Sequence, residues 1–330
     1  MRAWQYTPTT LALEKSLKIN AQAPVPKPKP NQHLIRVQYC SLNPVDYKPA
    51  ENPIMRRLVI PNPATPGIDY AGTIVKPAEG SSLKVGDKVF GCGPSPFAGG
   101  MLAEYAVAGT DATIPVPQGL SMVDASSIGV AGLTAWQSII SHKPSKVFIN
   151  GGSGGTGCFG IQISKAMGYD VTVTCSTRNI ELCKSLGADH VIDYTKSNIV
   201  DELKGKQFDH VVDNVMSSLD LYMKAHEYTT PNAKYITVAG EPSLKYMSKS
   251  LQMKFRPSWL GGGRRHAEGM LAKPSVDQLG QIAAWIAEGK VKAVIDSEFA
   301  FEDATKAFEK LKTGRARGKI VVQIASDAKA

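Results

Sequence analysis

A glycine-rich turn between an apolar run and a helix-like segment constrains this chain more than any other feature. The apolar run is Val147–Ile149, and apolar residues recur at helical spacing after Cys158. Between them, three glycines fit G-x-G-x-x-G, the pattern of dinucleotide-binding βαβ units. The first glycine permits a tight turn, the second lets the backbone approach a pyrophosphate, and the third lets helix and strand pack closely. The free N–H groups at the start of a helix favour phosphate. The turn thus predicts a dinucleotide site formed by Gly152, Ser153, Gly154, Gly155, Thr156 and Gly157.

The same letters allow two other interpretations. Gly151–Gly155 also fits G-x-S-x-G, the nucleophile elbow of hydrolases, in which Ser153 would be the nucleophile. That chemistry needs a later Asp and then a later His. His226 and His266 follow, but no HGGG-type oxyanion segment is present. A glycine turn without a ligand is the third interpretation. The strand before the turn and the helix after it favour the dinucleotide site.

Hydrophobic patterning divides the chain into two parts. Up to about residue 120, short apolar runs between proline and glycine turns predict β-strands, such as Leu34–Tyr39 and Lys88–Phe90. From residue 122, strand-like and helix-like segments alternate, which is typical of βαβ units in a parallel, doubly wound α/β sheet. The main segments expected there are the helices Val123–Ile140 and Leu219–Tyr228 and the strands Val147–Ile149, Asp170–Cys175, His190–Ile192, Val211–Val215 and Tyr235–Val238.

The last sixty residues are expected to return to the first domain. Leu279–Glu288 and Phe301–Leu311 predict amphipathic helices, and Lys319–Ile324 predicts a closing strand. We therefore predict an α/β protein with a Rossmann-type dinucleotide-binding domain over residues 122–269. The β-rich domain comprises residues 1–121 together with 270–330.

The end of the second predicted strand of the sheet indicates which dinucleotide binds. An Asp or Glu there would bind the ribose 2′-hydroxyl of NAD, whereas an Arg accommodates the 2′-phosphate of NADP. The chain has Ser176 and Arg178 at this point and no carboxylate between Val173 and Asn179. A hydroxyl can donate to a phosphate oxygen, and a guanidinium can pair with it through its planar fork. The sequence therefore favours NADPH, with an exposed arginine that merely opens a helix as the alternative.

Composition argues against several other classes of protein. The five cysteines are scattered and form no C-x-x-C pair, which argues against a disulfide framework or structural zinc and suits a reducing cytoplasm. The net charge is +9, but the basic residues are dispersed and no nucleic-acid-binding motif accompanies them. No apolar run approaches the ~18 residues of a membrane-spanning helix. We expect a cytoplasmic protein with no nucleic-acid partner, no metal and no membrane span.

The order of these parts, and five local segments, resemble the zinc-free quinone oxidoreductase branch of the medium-chain dehydrogenase/reductase superfamily, which includes zeta-crystallin. The five segments span nearly the whole chain: Ser41–Asp46, Thr65–Gly72, Val85–Phe90, Gly152–Gly157 and Gly314–Ile320. Three further segments are similar to chloroplast-envelope quinone oxidoreductase homologues and their fungal relatives: Arg178–Glu181, Lys184–Asp189 and Glu288–Lys292. The resemblance implies a GroES-like catalytic domain beside the Rossmann-type domain.

This resemblance also implies the reaction. The protein would transfer hydride from NADPH to a quinone, or to a C=C bond conjugated to a carbonyl, and it would do so without zinc. Asn43 stands where zinc-dependent relatives carry a cysteine ligand, and Ile68 and Asp69 stand where they carry His and Glu. Without a thiolate and an imidazole there is no tetrahedral N/S site for zinc. Charge that develops on the carbonyl oxygen then needs another donor. The catalytic candidates are Lys48, Tyr47 and Asn43.

By the same resemblance, further residues line the cofactor. Thr134 is expected near the nicotinamide ribose, Tyr194 near the adenosine phosphate, and Asn214, Ala239 and Gly240 at the ends of the fourth and fifth strands. Two other functions remain open. One is a trans-acting enoyl reductase for carrier-bound polyketide chains, in which the basic surface would meet an acidic acyl carrier protein. The other is an NADPH-binding structural protein without enzymatic activity. Relatives also suggest a homodimer.

Overall fold

The computed structural model describes residues 1–7, 11–93, 100–140, 145–238 and 244–325. The chain forms two compact units, of which the first is Met1–Leu133 with Lys273–Ala330 and the second is Thr134–Ala272. None of the helices in the described ranges combines the length and the hydropathy that crossing a bilayer requires.

The elements follow one another along the chain in three stretches. Before residue 141 they are β1 (Ala3–Gln5), α1 (Leu13–Ser16), β2 (Lys18–Asn20), β3 (Gln32–Leu42), α2 (Pro44–Glu51), α3 (Met55–Leu58), β4 (Asp69–Lys76), β5 (Lys88–Cys92), β6 (Tyr105–Gly109), β7 (Thr113–Pro115), α4 (Met122–Ser126) and α5 (Gly129–Ile140). The next stretch contains β8 (Lys146–Asn150), α6 (Gly155–Ala166), β9 (Asp170–Cys175), α7 (Ile180–Ser185), β10 (His190–Asp193), α8 (Ile199–Leu203), β11 (Phe208–Asp213), α9 (Asp220–Met223), β12 (Thr229–Val238), α10 (Leu244–Phe255) and β13 (His266–Met270). The last stretch contains α11 (Val276–Ala287), β14 (Ile295–Ala300), α12 (Ala304–Lys312) and β15 (Lys319–Gln323).

A six-stranded parallel sheet forms the second unit, in the order β10-β9-β8-β11-β12-β13. The chain moves outwards from β8 to β10 and then returns to place β11 on the other side of β8. This reversal is the point at which ligands bind in open α/β sheets, beyond the carboxyl ends of the strands. The predicted doubly wound α/β sheet is therefore confirmed. Phe148, Phe208 and Tyr228 lie in the buried core on one of its faces.

The first unit contains a mostly antiparallel sheet in the order β14-β15-β3-β4-β5-β7, with β6 also paired to β3. Its central strand β3 is long and has buried residues at alternate positions, as the expected strand Leu34–Tyr39 required. The C-terminal strand β15 pairs with β3, so the end of the chain adds a strand to the sheet of the first unit. Helix α12 packs its apolar side, including Ala304, Ala307 and Phe308, into the core of this unit.

Two of the expected helices were wrong. The helix expected over Val123–Ile140 is divided into α4 and α5, because the backbone N–H of Val130 donates to the buried carboxylate of Asp69 at 2.7 Å. Gly129 permits this approach, since a Cβ there would lie 2.2 Å from the same carboxylate. The helix expected over Leu219–Tyr228 is limited to the short α9 and a 3-10 turn.

Strand β13 was not predicted, because its sequence, His-Ala-Glu-Gly-Met, lacks the β-branched and aromatic residues that favour strands. The segment that begins at Asn43, for which no helix was predicted, forms helix α2. Asn43 is the N-cap, Pro44 occupies the first helical position, and the Asp46 side chain accepts from the Asn43 backbone N–H at 2.6 Å. This capping arrangement is readable in the sequence, and it was missed.

Candidate active site

Each glycine of the turn after β8 lies in a different environment. A Cβ on Gly152 would lie 2.8 Å from the Val173 side chain, and one on Gly157 would lie 2.1 Å from the Gly151 carbonyl oxygen. Both positions therefore exclude a side chain. A Cβ on Gly154 would have its nearest described neighbour, again the oxygen of Gly151, at 4.0 Å. Gly154 thus faces open space, as a backbone that is to approach a pyrophosphate must.

Helix α6 begins directly after Gly154, and no side chain caps its N-terminus. Cys158 donates the first intrahelical hydrogen bond, to the Gly154 carbonyl oxygen at 2.8 Å. The N–H groups of Gly155, Thr156 and Gly157 precede this bond and have no partner within the helix. They give the turn the partial positive charge that binds phosphate at helix starts.

A buried asparagine joins the glycine turn to the end of β9. The amide nitrogen of Asn179 donates to the hydroxyl oxygen of Ser153 at 2.9 Å and to that of Ser176 at 3.4 Å. Asn179 is 4% exposed, whereas its neighbour Arg178 is exposed in the same turn. Two hydroxyls predicted for the cofactor site are thus brought together by a residue that the sequence analysis did not single out.

Tyr194 lies at the same edge of the sheet. Its backbone N–H donates to the Cys175 carbonyl oxygen at 3.2 Å, one residue before Ser176, and its side chain is 54% exposed. The preceding carboxylate, Asp193, accepts from the hydroxyls of Thr177 at 2.5 Å and Thr195 at 2.7 Å. These bonds hold the pKa of Asp193 below its usual value. They also tie the end of β10 to the turn that follows β9.

Beneath the glycine turn, a polar network links the carboxyl ends of four strands. The side-chain amide of Asn150 donates to Asp213 at 2.8 Å and accepts from the hydroxyl of Thr174 at 2.6 Å. The same Thr174 hydroxyl accepts from the backbone N–H of Gly151 at 2.9 Å. Tyr235 donates to the other oxygen of Asp213 at 2.9 Å, and burial together with this carboxylate raises the Tyr235 pKa. The network fixes the backbone from which the turn begins. It was missed because its members are far apart in the chain.

Asn214 follows β11 and stands beside the turn. A Cβ on Gly151 would lie 3.7 Å from the Cβ of Asn214. The amide nitrogen and oxygen of Asn214 are both buried and have no hydrogen-bond partner among the described residues. Buried polar groups are normally paired, so this amide fits a ligand that would supply the partners. Thr134 is buried in α5, and Ala239 and Gly240 lie outside the described residues.

In the first unit, a buried ion pair lies at the start of α2. The Lys319 ammonium donates to Asp69 at 3.1 Å and to the Asn43 side-chain oxygen at 2.5 Å. The Asn43 amide nitrogen donates to the same carboxylate at 2.8 Å, and Ser41 adds a bond at 3.2 Å. Both ends of the Asn43 amide are thus engaged within the protein. This arrangement favours a positioning role for Asn43 over donation to a substrate.

Asp46 is a second buried carboxylate in this region. One of its oxygens accepts the capping bond from Asn43, and the other has no hydrogen-bond partner in the described part of the chain. Burial raises the pKa of Asp46 to about 8, an effect that Asp69 reinforces, whereas the Asn43 bond and Lys319 oppose it. In α2, Tyr47 and Lys48 therefore directly follow a buried carboxyl group that favours its neutral form.

Tyr47 and Lys48 are both half-buried. The Tyr47 ring packs against the core of the first unit, and the Lys312 ammonium lies 5.6 Å from its centroid. Lys312 is itself held by Glu14 at 2.8 Å and Glu51 at 2.7 Å. The ring of Tyr47 is therefore fixed by packing and by a cation.

The residues around Asn43 do not fit a zinc ion. Burial raises the pKa of the Cys40 thiol well above its ordinary value and that of Cys92 to about 12, so both thiols are protonated at neutral pH. The charge of Asp69 is already balanced by Lys319. Within the described ranges, no three His, Cys, Asp or Glu side chains lie close enough together to hold a metal ion. Cys40 and Cys92 are core residues, as expected.

Two known protein families match parts of the chain. Residues 29–118 match the alcohol dehydrogenase GroES-like domain, and residues 186–322 match a family described as zinc-binding dehydrogenase. The first match confirms the predicted GroES-like domain. The description of the second family names zinc, but the residues that the structure describes do not bring together the ligands for it.

Individual relatives are similar to this chain over almost its full length. The trans-enoyl reductase pgmF of Aspergillus terreus is 43% identical, over 98% of this chain and 96% of that protein. A chloroplast envelope quinone oxidoreductase homolog of Arabidopsis thaliana is 33% identical, over 92% of this chain and 93% of that protein. The structure of the quinone oxidoreductase from Coxiella burnetii superposes with a TM-score of 0.86 at 28% identity, over 98% of this chain and 99% of that one.

These matches argue against the hydrolase interpretation of the turn, since the relatives are named as reductases or oxidoreductases. The family uses NAD(P)H. The chain therefore belongs to the medium-chain dehydrogenase/reductase superfamily, as an oxidoreductase of its quinone oxidoreductase-like branch.

Proposed function

We propose that this protein is an NADPH-dependent oxidoreductase that reduces the activated C=C bond of α,β-unsaturated carbonyls, or quinones, without zinc. The proposal rests on one observation. An intact dinucleotide turn in the second unit occurs together with a first unit whose described residues form no zinc site. The bound cofactor supplies the hydride, and the protein must orient the reactants and stabilise the developing charge.

The proposed cofactor site lies in the second unit. The open space at Gly154 and the N–H groups that start α6 fit the pyrophosphate. The unpaired amide of Asn214 and the buried Thr134 would contact the nicotinamide half of the cofactor. Ala239 and Gly240 remain part of this proposal on resemblance alone.

The proposed preference for NADPH over NADH depends on the residues that follow β9. Ser153, Ser176, Arg178 and Tyr194 provide three hydroxyls and a guanidinium, and no carboxylate between Val173 and Asn179 would repel a phosphate. In an Arg178→Ala variant, we expect the KM for NADPH to rise roughly tenfold, because a charge-assisted hydrogen bond contributes about 1.5–3 kcal/mol. The KM for NADH should not change. Equal effects on both cofactors would remove Arg178 from the site.

In the first unit, we propose that Lys48 stabilises the carbonyl oxygen of the substrate. An ammonium group can offset the charge that develops when hydride adds to the carbon β to the carbonyl. The α carbon then takes a proton, from water or a side chain. Tyr47 is the alternative donor. Asn43 is retained as a residue that positions the start of α2, because its amide is engaged by Asp69 and Lys319.

A second candidate function is reduction of enoyl chains carried by an acyl carrier protein. One observation in its favour is that a relative with 43% identity is named as a trans-enoyl reductase. The other is a patch on the second unit, in which the exposed apolar residues Leu251, Phe255, Trp259 and Leu260 lie among basic residues. Residues 242–267 contain six Lys or Arg and no Asp or Glu. Such a surface complements an acidic partner.

One experiment separates these functions. NADPH oxidation is followed with quinones, short and long enones, a crotonyl N-acetylcysteamine thioester, and the same crotonyl chain on a purified carrier protein. Turnover of free enones or quinones supports the proposed function. Turnover of the carrier-bound chain alone supports the second. No turnover of any substrate, with NADPH still bound, would favour the structural protein.

A further inference from the structure

The side-chain nitrogen of Asn179 donates hydrogen bonds to two serine hydroxyl groups. This nitrogen carries two hydrogens, one for the oxygen of Ser153 at 2.9 Å and one for that of Ser176 at 3.4 Å. The two serines come from different segments, one from the glycine turn and one from the end of β9. Because Asn179 is 4% exposed, little water competes for these hydrogen bonds.

The direction of these bonds determines what the hydroxyls can do. A hydroxyl has a single hydrogen, so an oxygen that accepts from Asn179 keeps its own hydrogen for another partner. Both serines are therefore set as donors, and they stand beside the exposed Arg178. A phosphate group accepts hydrogen bonds and has none to give when it is fully ionised. A ribose hydroxyl can donate or accept, so it gains little from such an arrangement.

The oxygen of the Asn179 amide is buried and accepts no hydrogen bond from the described residues. If this oxygen faced the two serines, both hydroxyls would donate to it and would have no hydrogen left for a phosphate. The donor roles of Ser153 and Ser176 therefore depend on the nitrogen of Asn179 facing them.

We propose that Asn179 is a positioning residue that sets the specificity for the 2′-phosphate of NADPH by holding Ser153 and Ser176 as hydrogen-bond donors. This inference rests on the proposed preference for NADPH and is independent of the substrate. Asn179 contacts neither the cofactor nor the substrate in this account. It acts through the two serines.

The test replaces the amide with a carboxylate of the same shape. In Asn179→Asp, both hydroxyls would donate to the new carboxylate, so their hydrogens would turn away from the phosphate. Binding of 2′,5′-ADP, which carries the 2′-phosphate, and of 5′-AMP, which lacks it, is measured by calorimetry. We expect the affinity for 2′,5′-ADP to fall roughly tenfold or more, and that for 5′-AMP to change less than about threefold.

Two further variants test whether the effect of Asn179→Asp comes from the lost hydrogen-bond geometry, from the added charge or from a change in folding. Asn198 caps α8 in the same unit, so Asn198→Asp adds the same charge while keeping a good N-cap, and both affinities should remain unchanged. Asn179→Leu is neutral and should also lower the affinity for 2′,5′-ADP. In a Ser153→Ala/Ser176→Ala background, however, Asn179→Leu should have no further effect, because the groups through which it acts are gone.

The outcomes distinguish this inference from the proposed function. If the wild-type protein binds 2′,5′-ADP no more tightly than 5′-AMP, the proposed preference for NADPH fails and this inference fails with it. If the wild-type protein prefers 2′,5′-ADP and Asn179→Asp keeps that preference, only the role of Asn179 is overturned. An equal further loss from Asn179→Leu in the double-alanine background would also overturn it, since a merely structural role predicts that result.

Discussion

The ammonium group of Lys319 lies 3.1 Å from the carboxylate of Asp69, although 250 residues separate them in the chain. The two side chains are 3% and 0% exposed, so both charges have been removed from water. Such a pair contributes little compared with apolar residues of the same volume, but either charge left alone is strongly destabilising. The pair joins β15 to β4 beside the start of α2.

Replacement of Lys319 by methionine should therefore destabilise the protein by about 3–5 kcal/mol, because it leaves the Asp69 charge buried without a cation. Urea unfolding measures this loss. The exposed pair Lys184–Glu181 provides the control, and Lys184→Met should cost less than about 1 kcal/mol. The double variant Lys319→Met/Asp69→Asn should regain part of the loss. A double variant as unstable as the sum of its single variants would show that the two side chains do not interact.

The stability of the folded chain should depend on pH through Asp46. Its pKa is about 8 in the folded state, whereas the ordinary pKa of an aspartate is 3.8. Between these values the folded state therefore keeps a proton that the unfolded chain has released. Raising the pH through this window therefore lowers the free energy of unfolding. Asp46→Asn removes this dependence and can keep the capping bond.

The measurement for Asp46 is the difference in unfolding free energy between the wild-type protein and Asp46→Asn. We expect the wild-type protein to lose stability relative to Asp46→Asn as the pH rises from about 4 to 8. The difference should not change outside that window. Asp277→Asn, at an exposed position in the first turn of α11, is the control. A difference that stays constant across the window would contradict the raised pKa.

Two glycines of the same turn should respond differently to alanine. The methyl group of Gly154→Ala meets open space, so the fold should be retained while the KM for NADPH rises roughly tenfold or more, because the backbone can no longer approach the pyrophosphate. Gly157→Ala places its methyl group 2.1 Å from the Gly151 oxygen and should destabilise the fold by about 1–3 kcal/mol. Thermal melting and cofactor titration distinguish them. Normal NADPH binding by Gly154→Ala would place the pyrophosphate elsewhere.

Lys48 and Tyr47 can be separated by kinetics. If the Lys48 ammonium stabilises the developing oxyanion, Lys48→Ala should lower kcat roughly 100-fold without changing the affinity for NADPH. Tyr47→Phe should then retain most of the activity, since the ring would still pack on the core. Lys76→Ala, at an exposed position of the same unit, is the control. Normal turnover by Lys48→Ala would exclude the lysine, and a loss confined to Tyr47→Phe would assign the donor to Tyr47.

The parts of the site that could be predicted are the local ones. The glycine turn was predicted because its geometry depends on residues five positions apart. Strand β9 was predicted because its sequence, Asp-Val-Thr-Val-Thr-Cys, is rich in β-branched residues. Ser176 and Arg178 follow directly from the end of that strand. Such local sequence patterns indicate the conformation of a short segment. That conformation determines which side chains and backbone groups face away from the sheet.

The parts that were missed depend on long-range pairing. Lys319 was recognised only as part of a family segment, and nothing in its neighbourhood in the sequence indicates Asp69 as its partner. The same holds for the Asn150–Asp213 bond, which joins adjacent strands that are distant in the chain. Asn179 was visible within a matched segment, but its role depends on the position of Ser153, 26 residues earlier.

The position at which hydride adds tests the account most directly. The protein is dialysed against a chelator and incubated with an open-chain enone and NADPH that carries deuterium at the transferable C4 position, and the product is analysed by NMR. We predict full turnover without added metal, with deuterium on the carbon β to an intact carbonyl group. Deuterium on a carbinol carbon, or activity that returns only with zinc, would show an alcohol dehydrogenase reaction and contradict the account.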